Sequence, residues 1–112
     1  IRQSITDSFE LSGLSSLEGR LLRPSNLHLT LHFIGNVLED KLECLHQQAK
    51  QIRCSSFSLE LDQYGYFEKP KIIWMGMRNV PVKLNNLHTS LATIFKTCGY
   101  NAEQRAYKPH IT

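Results

Sequence analysis

Residues 27–34 read LHLTLHFI, the most regular alternation of apolar and polar side chains in this chain of 112 residues. Successive side chains of a β-strand point to opposite faces, so the leucines and Phe33 share one face. His28, Thr30 and His32 share the other face. The segment therefore predicts a strand that buries its leucine face, with Phe33 in the core, and presents histidine and threonine on its opposite side.

Periodicity assigns the rest of the chain to elements around this strand. The predicted elements are a short helix from Ile1 to about Leu14, a turn at 23–26, a helix over 38–52, a strand over 57–62 that continues past a bulge to Phe67, a strand over 71–77, a helix from Pro81 to Gly99, and a strand over 107–112. A short connection joins the two middle strands. We therefore expect antiparallel pairing and an α+β protein, in contrast to a doubly wound parallel sheet.

Composition is that of an ordinary globular domain. The 13 basic and 10 acidic residues give a net charge of +3, which permits a phosphate-bearing partner without requiring one. Cys44, Cys54 and Cys98 cannot all pair with one another and have no Cys-x-x-Cys spacing, so we expect reduced thiols in a cytosolic protein. They also show no paired base, which argues against catalysis by a thiolate. No apolar run is long enough to span a bilayer. The first residue, Ile1, predicts a chain cut from something longer.

A short pattern occurs twice, as Leu-His-Leu-Thr at 27–30 and as Pro-His-Ile-Thr at 109–112. In a strand, each copy places its histidine and threonine on one face, about 6.6 Å apart. A single His-x-Thr usually marks only a solvated strand face. Two imidazoles that titrate near neutrality can instead act as general acid and general base, while two hydroxyls hold phosphate oxygens. The repeat predicts phosphoryl chemistry without a metal or other cofactor.

The motifs and their flanks resemble the 2H phosphoesterases, in particular the bacterial and archaeal RNA 2′,3′-cyclic phosphodiesterases, also called 2′-5′ RNA ligases. The resemblance covers residues 23–37, Phe67, 73–76, Leu87-His88, Gly99 and 105–112. It implies a bilobed α+β fold with two pseudo-symmetric lobes, whose antiparallel sheets flank a central cleft with helices outside. One lobe would supply His28 and Thr30, and the other would supply His110 and Thr112. Family members have an additional strand before the first helix and further strands after the second motif. We therefore expect 1–112 to be a single 2H phosphoesterase-like domain that lacks those strands.

The same resemblance implies the chemistry and the role of each motif residue. An RNA 2′,3′-cyclic phosphate end would be opened by water to a 2′-phosphomonoester, and the reverse path would join RNA ends as a 2′-5′ linkage without ATP. His28 would be the general acid that protonates the departing O3′, and His110 the base that activates water. Thr30 and Thr112 would bind phosphate oxygens. Since the two motifs are pseudo-symmetric, the opposite assignment of acid and base stays open.

Other side chains are candidates for RNA contacts or for packing. The expected RNA or nucleotide contacts are Phe33, Arg23, Arg105 and Tyr107, with Lys69, Lys71, Lys108, Tyr64 and Tyr66 as further members of a basic and aromatic rim. Scattered surface charge and sheet packing explain the rim equally well. His28 and His32 have the spacing of a zinc-binding helix, but Leu29 stands where that motif needs glutamate. We expect a cleft-lining or structural role for His32, surface or packing roles for His46 and His88, and a core position for Trp74.

The leading hypothesis is therefore a cytoplasmic, metal-independent phosphodiesterase. Its expected partner is RNA or a nucleotide with a 2′,3′-cyclic phosphate end, and we expect a monomer with no membrane association and no protein partner. One alternative is a non-catalytic nucleotide- or RNA-binding module. Another is a different member of the same superfamily, which acts on another cyclic phosphate or on 2′,5′-oligonucleotides.

Overall fold

The chain contains both helices and strands, and the computed structural model describes residues 2–11, 23–69, 71–103 and 105–112. The elements in these ranges are α1 (Arg2–Leu11), α2 (Glu39–Ala49), β1 (Gln63–Phe67), β2 (Ile72–Gly76), α3 (Val82–Thr97) and β3 (His110–Ile111), with a 3-10 turn at Pro24–Asn26. The predicted α+β class is confirmed. No helix in the described ranges combines the length and the apolar character needed to cross a membrane.

The strands form one antiparallel sheet in the order β1-β2-β3. In the register between β1 and β2, Gly65 lies opposite Trp74. In the register between β2 and β3, Gly76 lies opposite His110. On the other side of β3, an isolated antiparallel bridge joins Leu29 to Ile111. The first His-x-Thr segment therefore lies directly beside the second.

Two predicted strands are shorter in the structure than expected. Over 27–34 the described backbone forms a single bridge, between Leu29 and Ile111 of the two-residue strand β3. Of the strand predicted from 57 to Phe67, the part over 63–67 is confirmed as β1, whereas residues 57–62 are not in a strand. Just before β1, the Asp62 N–H donates to Gly76 O at 3.0 Å, and Asp62 Oδ1 accepts from the Arg78 N–H at 2.8 Å. Beyond the end of the β1–β2 pairing, the Asp62 carboxylate thus accepts a hydrogen bond from the backbone.

The two long helices confirm their predictions, with small shifts at the ends. α2 ends at Ala49, and α3 runs from Val82 to Thr97. Gly99 has a φ of +90°. Its N–H donates to Lys96 O, and the next N–H, from Tyr100, donates to Phe95 O. This pair of hydrogen bonds is a Schellman motif, in which glycine tolerates the left-handed conformation. The predicted end of the first helix near Leu14 lies outside the described residues.

α2 and α3 pack through a buried cluster of Leu45, Phe95 and Cys98. Cys98 forms a disulfide with Cys44, across a Cα–Cα distance of 5.8 Å. The prediction of reduced thiols is therefore wrong for these two cysteines, and Cys54 is free and exposed. Helix packing brings together residues that are 54 positions apart, which cysteine spacing in the sequence does not reveal.

Candidate active site

The two His-x-Thr motifs lie side by side in antiparallel register. His28 and Thr112 exchange both backbone hydrogen bonds, each 3.2 Å long. Leu29 pairs with Ile111, so the same register sets Thr30 opposite His110. Because side chains alternate along each strand, both histidines and both threonines belong to the same face of this pairing.

Both motif histidines are anchored by the same nitrogen. His28 Nδ1 lies 2.8 Å from Asn26 O, and His110 Nδ1 lies 2.8 Å from Lys108 O. A carbonyl oxygen can only accept, so Nδ1 carries the hydrogen in both rings. In the neutral imidazole this leaves Nε2 as the acceptor, and in the imidazolium Nε2 becomes a donor. Each Nε2 is therefore equipped to take or give a proton.

The surroundings of the two imidazoles differ. His28 is exposed, and its Nε2 lies 3.5 Å from Thr112 Oγ1. His110 is half-buried beside two aromatic rings. Its ring centroid is 5.3 Å from that of Phe67, edge to face, and 5.7 Å from that of Trp74. The backbone anchoring is thus symmetric while the packing is not.

Sequence reasoning missed the arrangement that holds Trp74 beside His110. Gly65 lies directly opposite Trp74 in the β1–β2 register, and a Cβ at this glycine would overlap the indole ring. Trp74 Nε1 is buried and has no hydrogen-bond partner among the described residues. The only signal in the sequence is a glycine between two tyrosines, and its meaning depends on strand register.

A second group of rings lies next to the motifs. The imidazoles of His32 and His88 are stacked with their centroids 3.8 Å apart, and His88 is stacked on Tyr107 at 3.9 Å. His32 also contacts buried Phe95 edge to face. Burial lowers the pKa of His88, and the charge of His32 lowers it further. Burial also disfavours the charged form of Tyr107, and here it raises the pKa. The packing roles predicted for His32 and His88 thus take the form of one stack.

Phe33 contradicts the prediction that it lies in the core, because 75% of it is exposed. The chain bends at Leu31, and the regular alternation is lost beyond it. Ile34 packs against the Leu45 cluster in its place, so Phe33 points outward.

The other candidate contact residues lie at the surface or in the stack. Arg23 is exposed, and exposed Arg105 forms an ion pair with Glu103 at 2.8 Å. Tyr107 has one ring face covered by His88. The described residues contain no group of three or more His, Cys, Asp or Glu that could hold a metal ion.

An antiparallel α+β fold that carries paired His-x-Thr motifs defines a protein of the 2H phosphoesterase class. The family model of the LigT-like phosphoesterases matches residues 8–74. The RNA 2′,3′-cyclic phosphodiesterase of Escherichia coli (strain K12) is 37% identical over 94 residues, which are 84% of this chain and 53% of that protein. The chain belongs to the LigT-like phosphoesterase family.

Further similarity comes from an archaeal relative and from a solved structure. The RNA 2′,3′-cyclic phosphodiesterase of Archaeoglobus fulgidus is 29% identical over 106 residues, covering 92% of this chain and 58% of that protein. A crystal structure of E. coli LigT complexed with 3′-AMP superposes with a TM-score of 0.80 at 32% identity, covering 97% of this chain and 64% of that chain. The chain spans about half the length of the curated relatives it matches.

Proposed function

We propose that this protein hydrolyses RNA 2′,3′-cyclic phosphate ends to 2′-phosphomonoesters by acid–base catalysis with two histidines. The observation that carries the proposal is the mirrored anchoring of His28 and His110, which leaves Nε2 of each imidazole for proton transfer. The antiparallel pairing of the two motifs supports it, because one substrate phosphate can then meet both histidines and both threonines. The curated relatives named RNA 2′,3′-cyclic phosphodiesterase support the substrate class.

The proposed reaction is a single displacement at phosphorus. His110 Nε2 takes a proton from water, whose oxygen forms a new bond to phosphorus while the bond from phosphorus to O3′ breaks. His28 Nε2 gives its proton to O3′, and the phosphate stays on O2′. Thr30 and Thr112 donate hydrogen bonds to the non-bridging oxygens. With a 5′-hydroxyl in place of water as the nucleophile, the same displacement joins two RNA ends as a 2′-5′ linkage.

Residues around the motifs would bind the rest of the substrate. The exposed ring of Phe33 is suited to stacking on a base, and Arg23 and Arg105 lie exposed for phosphate contacts. Tyr107 remains a candidate contact, because it is only half-buried. We further propose that 1–112 acts as one 2H phosphoesterase-like domain and as a monomer without a protein partner. The cytoplasmic location stays a prediction, and the Cys44–Cys98 disulfide removes the free-thiol argument behind it.

The test is hydrolysis of a short RNA that ends in a 2′,3′-cyclic phosphate, with EDTA present, using the whole protein. His28→Ala and His110→Ala should each lower the rate about 10²- to 10⁴-fold, which is the usual contribution of a general acid or base. His46→Ala is the matched control, because His46 is an exposed histidine on α2 outside the motifs. The products are resolved as 2′- and 3′-monophosphates.

The other functions predict different outcomes of this assay. RNA binding without turnover in the parent protein would replace the enzyme with a binding module. Turnover only of another cyclic phosphate or of a 2′,5′-oligonucleotide would assign the protein to a different branch. Full activity in either histidine variant, or a 3′-phosphate product, would contradict the proposed mechanism.

A further inference from the structure

His88 on α3 holds its imidazole between two other rings. His32 stacks on it with centroids 3.8 Å apart and planes 16° apart. Tyr107 stacks on it at 3.9 Å and 13°. Two rings that are both nearly parallel to a third and within 4 Å of it must lie on its opposite faces. The three rings therefore form one continuous stack with His88 in the middle.

The outer rings of this stack belong to the two motif segments. His32 follows Thr30 by two residues, and Tyr107 precedes His110 by three. Each is also tied to backbone: His32 Nε2–H donates to His88 O at 2.7 Å, and Tyr107 Oη–H donates to Thr30 O at 3.0 Å. The stack thus connects the first motif segment, through His88 on α3, to the second motif segment. The hydrogen bond from the Tyr107 hydroxyl to Thr30 O connects the same two segments directly.

The direct link between the motifs is short. It consists of the Leu29–Ile111 bridge and the reciprocal hydrogen bonds of His28 with Thr112. The ring stack and the hydrogen bond from Tyr107 to Thr30 add contacts between the two segments beyond this short link. Spacing matters for the chemistry, because a displacement of about 1 Å in a reacting pair can cost about 10²-fold in rate.

We infer that His88 is a positioning residue, whose ring, as the spacer between His32 and Tyr107, sets the distance between the two His-x-Thr motifs. The inference rests on the proposed function of those motifs. The flat ring performs this role, so another flat ring should replace it. The backbone oxygen of His88 that accepts from His32 is present whatever the side chain at position 88.

The experiment compares His88→Ala and His88→Phe in the whole protein, with His46→Ala as the control for loss of a helical histidine. We expect His88→Ala to lower kcat about tenfold for the cyclic-phosphate RNA while KM changes less than about threefold. His88→Phe should restore kcat to within about threefold of the parent. Affinity for inorganic phosphate, measured by calorimetry, should follow the same order, since one phosphate must reach both motifs.

Each result decides the inference. Equal losses of kcat in the Ala and Phe variants would overturn it, because ring stacking would then not be the cause. Unchanged kcat with a lowered melting temperature would also overturn it, because His88 would then be merely structural. If the parent does not hydrolyse the RNA, the proposed function fails and phosphate affinity alone decides: weaker binding in His88→Ala, restored in His88→Phe, supports the positioning role. A parent protein that neither hydrolyses the RNA nor binds phosphate would overturn both the proposed function and the positioning role of His88.

Discussion

His28 and His110 present the same ring nitrogen to the backbone: in both residues Nδ1 lies 2.8 Å from the carbonyl oxygen two positions earlier. The two residues are 82 positions apart in the sequence, yet each motif fixes its imidazole by a purely local contact. His32 is held the opposite way, through Nε2, to His88 O at 2.7 Å. The two candidates for proton transfer, His28 and His110, are thus anchored through Nδ1, whereas the packing histidine His32 is anchored through Nε2.

This difference predicts the tautomers of three histidines. At a pH where the rings are neutral, His28 and His110 should carry hydrogen on Nδ1, and His32 should carry it on Nε2, because a carbonyl accepts only from an N–H. Long-range ¹H–¹⁵N correlation spectra of the imidazoles distinguish the two forms. An Nε2–H tautomer in either motif histidine would contradict the anchoring, and His32 serves as the internal control.

Gly65 is predicted to be essential for the place of Trp74 in the sheet. Gly65→Ala should lower the free energy of unfolding by about 1–3 kcal/mol, since its Cβ would overlap the indole. The backbone is not the cause, because Gly65 is not among the glycines with positive φ. Urea unfolding measures the cost in the parent and in a Trp74→Leu background. A cost that is equal in both backgrounds would contradict steric overlap as the mechanism.

The lowered pKa of His88 predicts how stability depends on pH. The unfolded state, with an ordinary pKa near 6.5, binds this proton before the folded state does. The free energy of unfolding should therefore fall as pH drops from 6.5 through the lower folded pKa. His88→Phe removes the imidazole that binds this proton, so the free energy of unfolding in urea should depend less steeply on pH. His46→Ala should keep the parent slope, and parallel curves for the parent and His88→Phe would refute the prediction.

The Cys44–Cys98 disulfide should contribute strongly to stability. It closes a loop over a sequence separation of 54, for which the chain-entropy model gives about 4 kcal/mol. A reductant should lower the urea midpoint of the parent and leave Cys98→Ser unaffected. Cys54→Ser, which removes the free exposed thiol, should respond to reductant as the parent does. Equal midpoints of the oxidised and reduced parent would contradict this.

Local sequence patterns were sufficient to predict a large part of the fold. The apolar stripe of α3 and the glycine after it define that helix and its end, and the apolar run at 72–76 defines β2. The sequence also predicted that both motifs belong to one site, but not that the two segments pair directly with each other, because the family resemblance placed them on separate lobes. The helix and the strand could be predicted because they depend on residues that are neighbours in sequence.

The remaining features depend on contacts between distant segments. Alternation puts Phe33 inside, but a bend at Leu31 and the packing of Ile34 turn it out. The disulfide needs the α2–α3 packing, and the position of Trp74 needs the register that sets it opposite Gly65. The stack on His88 joins three separate segments, and no periodicity in the sequence marks it.

The pairing of His28 with Thr112 also bears on how this protein folds. The two residues are 84 positions apart in the chain, so their contact is among the least local that 112 residues allow. Closing so long a loop costs conformational entropy that only later contacts recover, and such contacts slow folding. During synthesis on the ribosome, the first motif cannot pair until the second motif, at residues 109–112, has been synthesised. A nascent chain that has formed α2, β1, β2 and α3 would therefore still have no paired motifs.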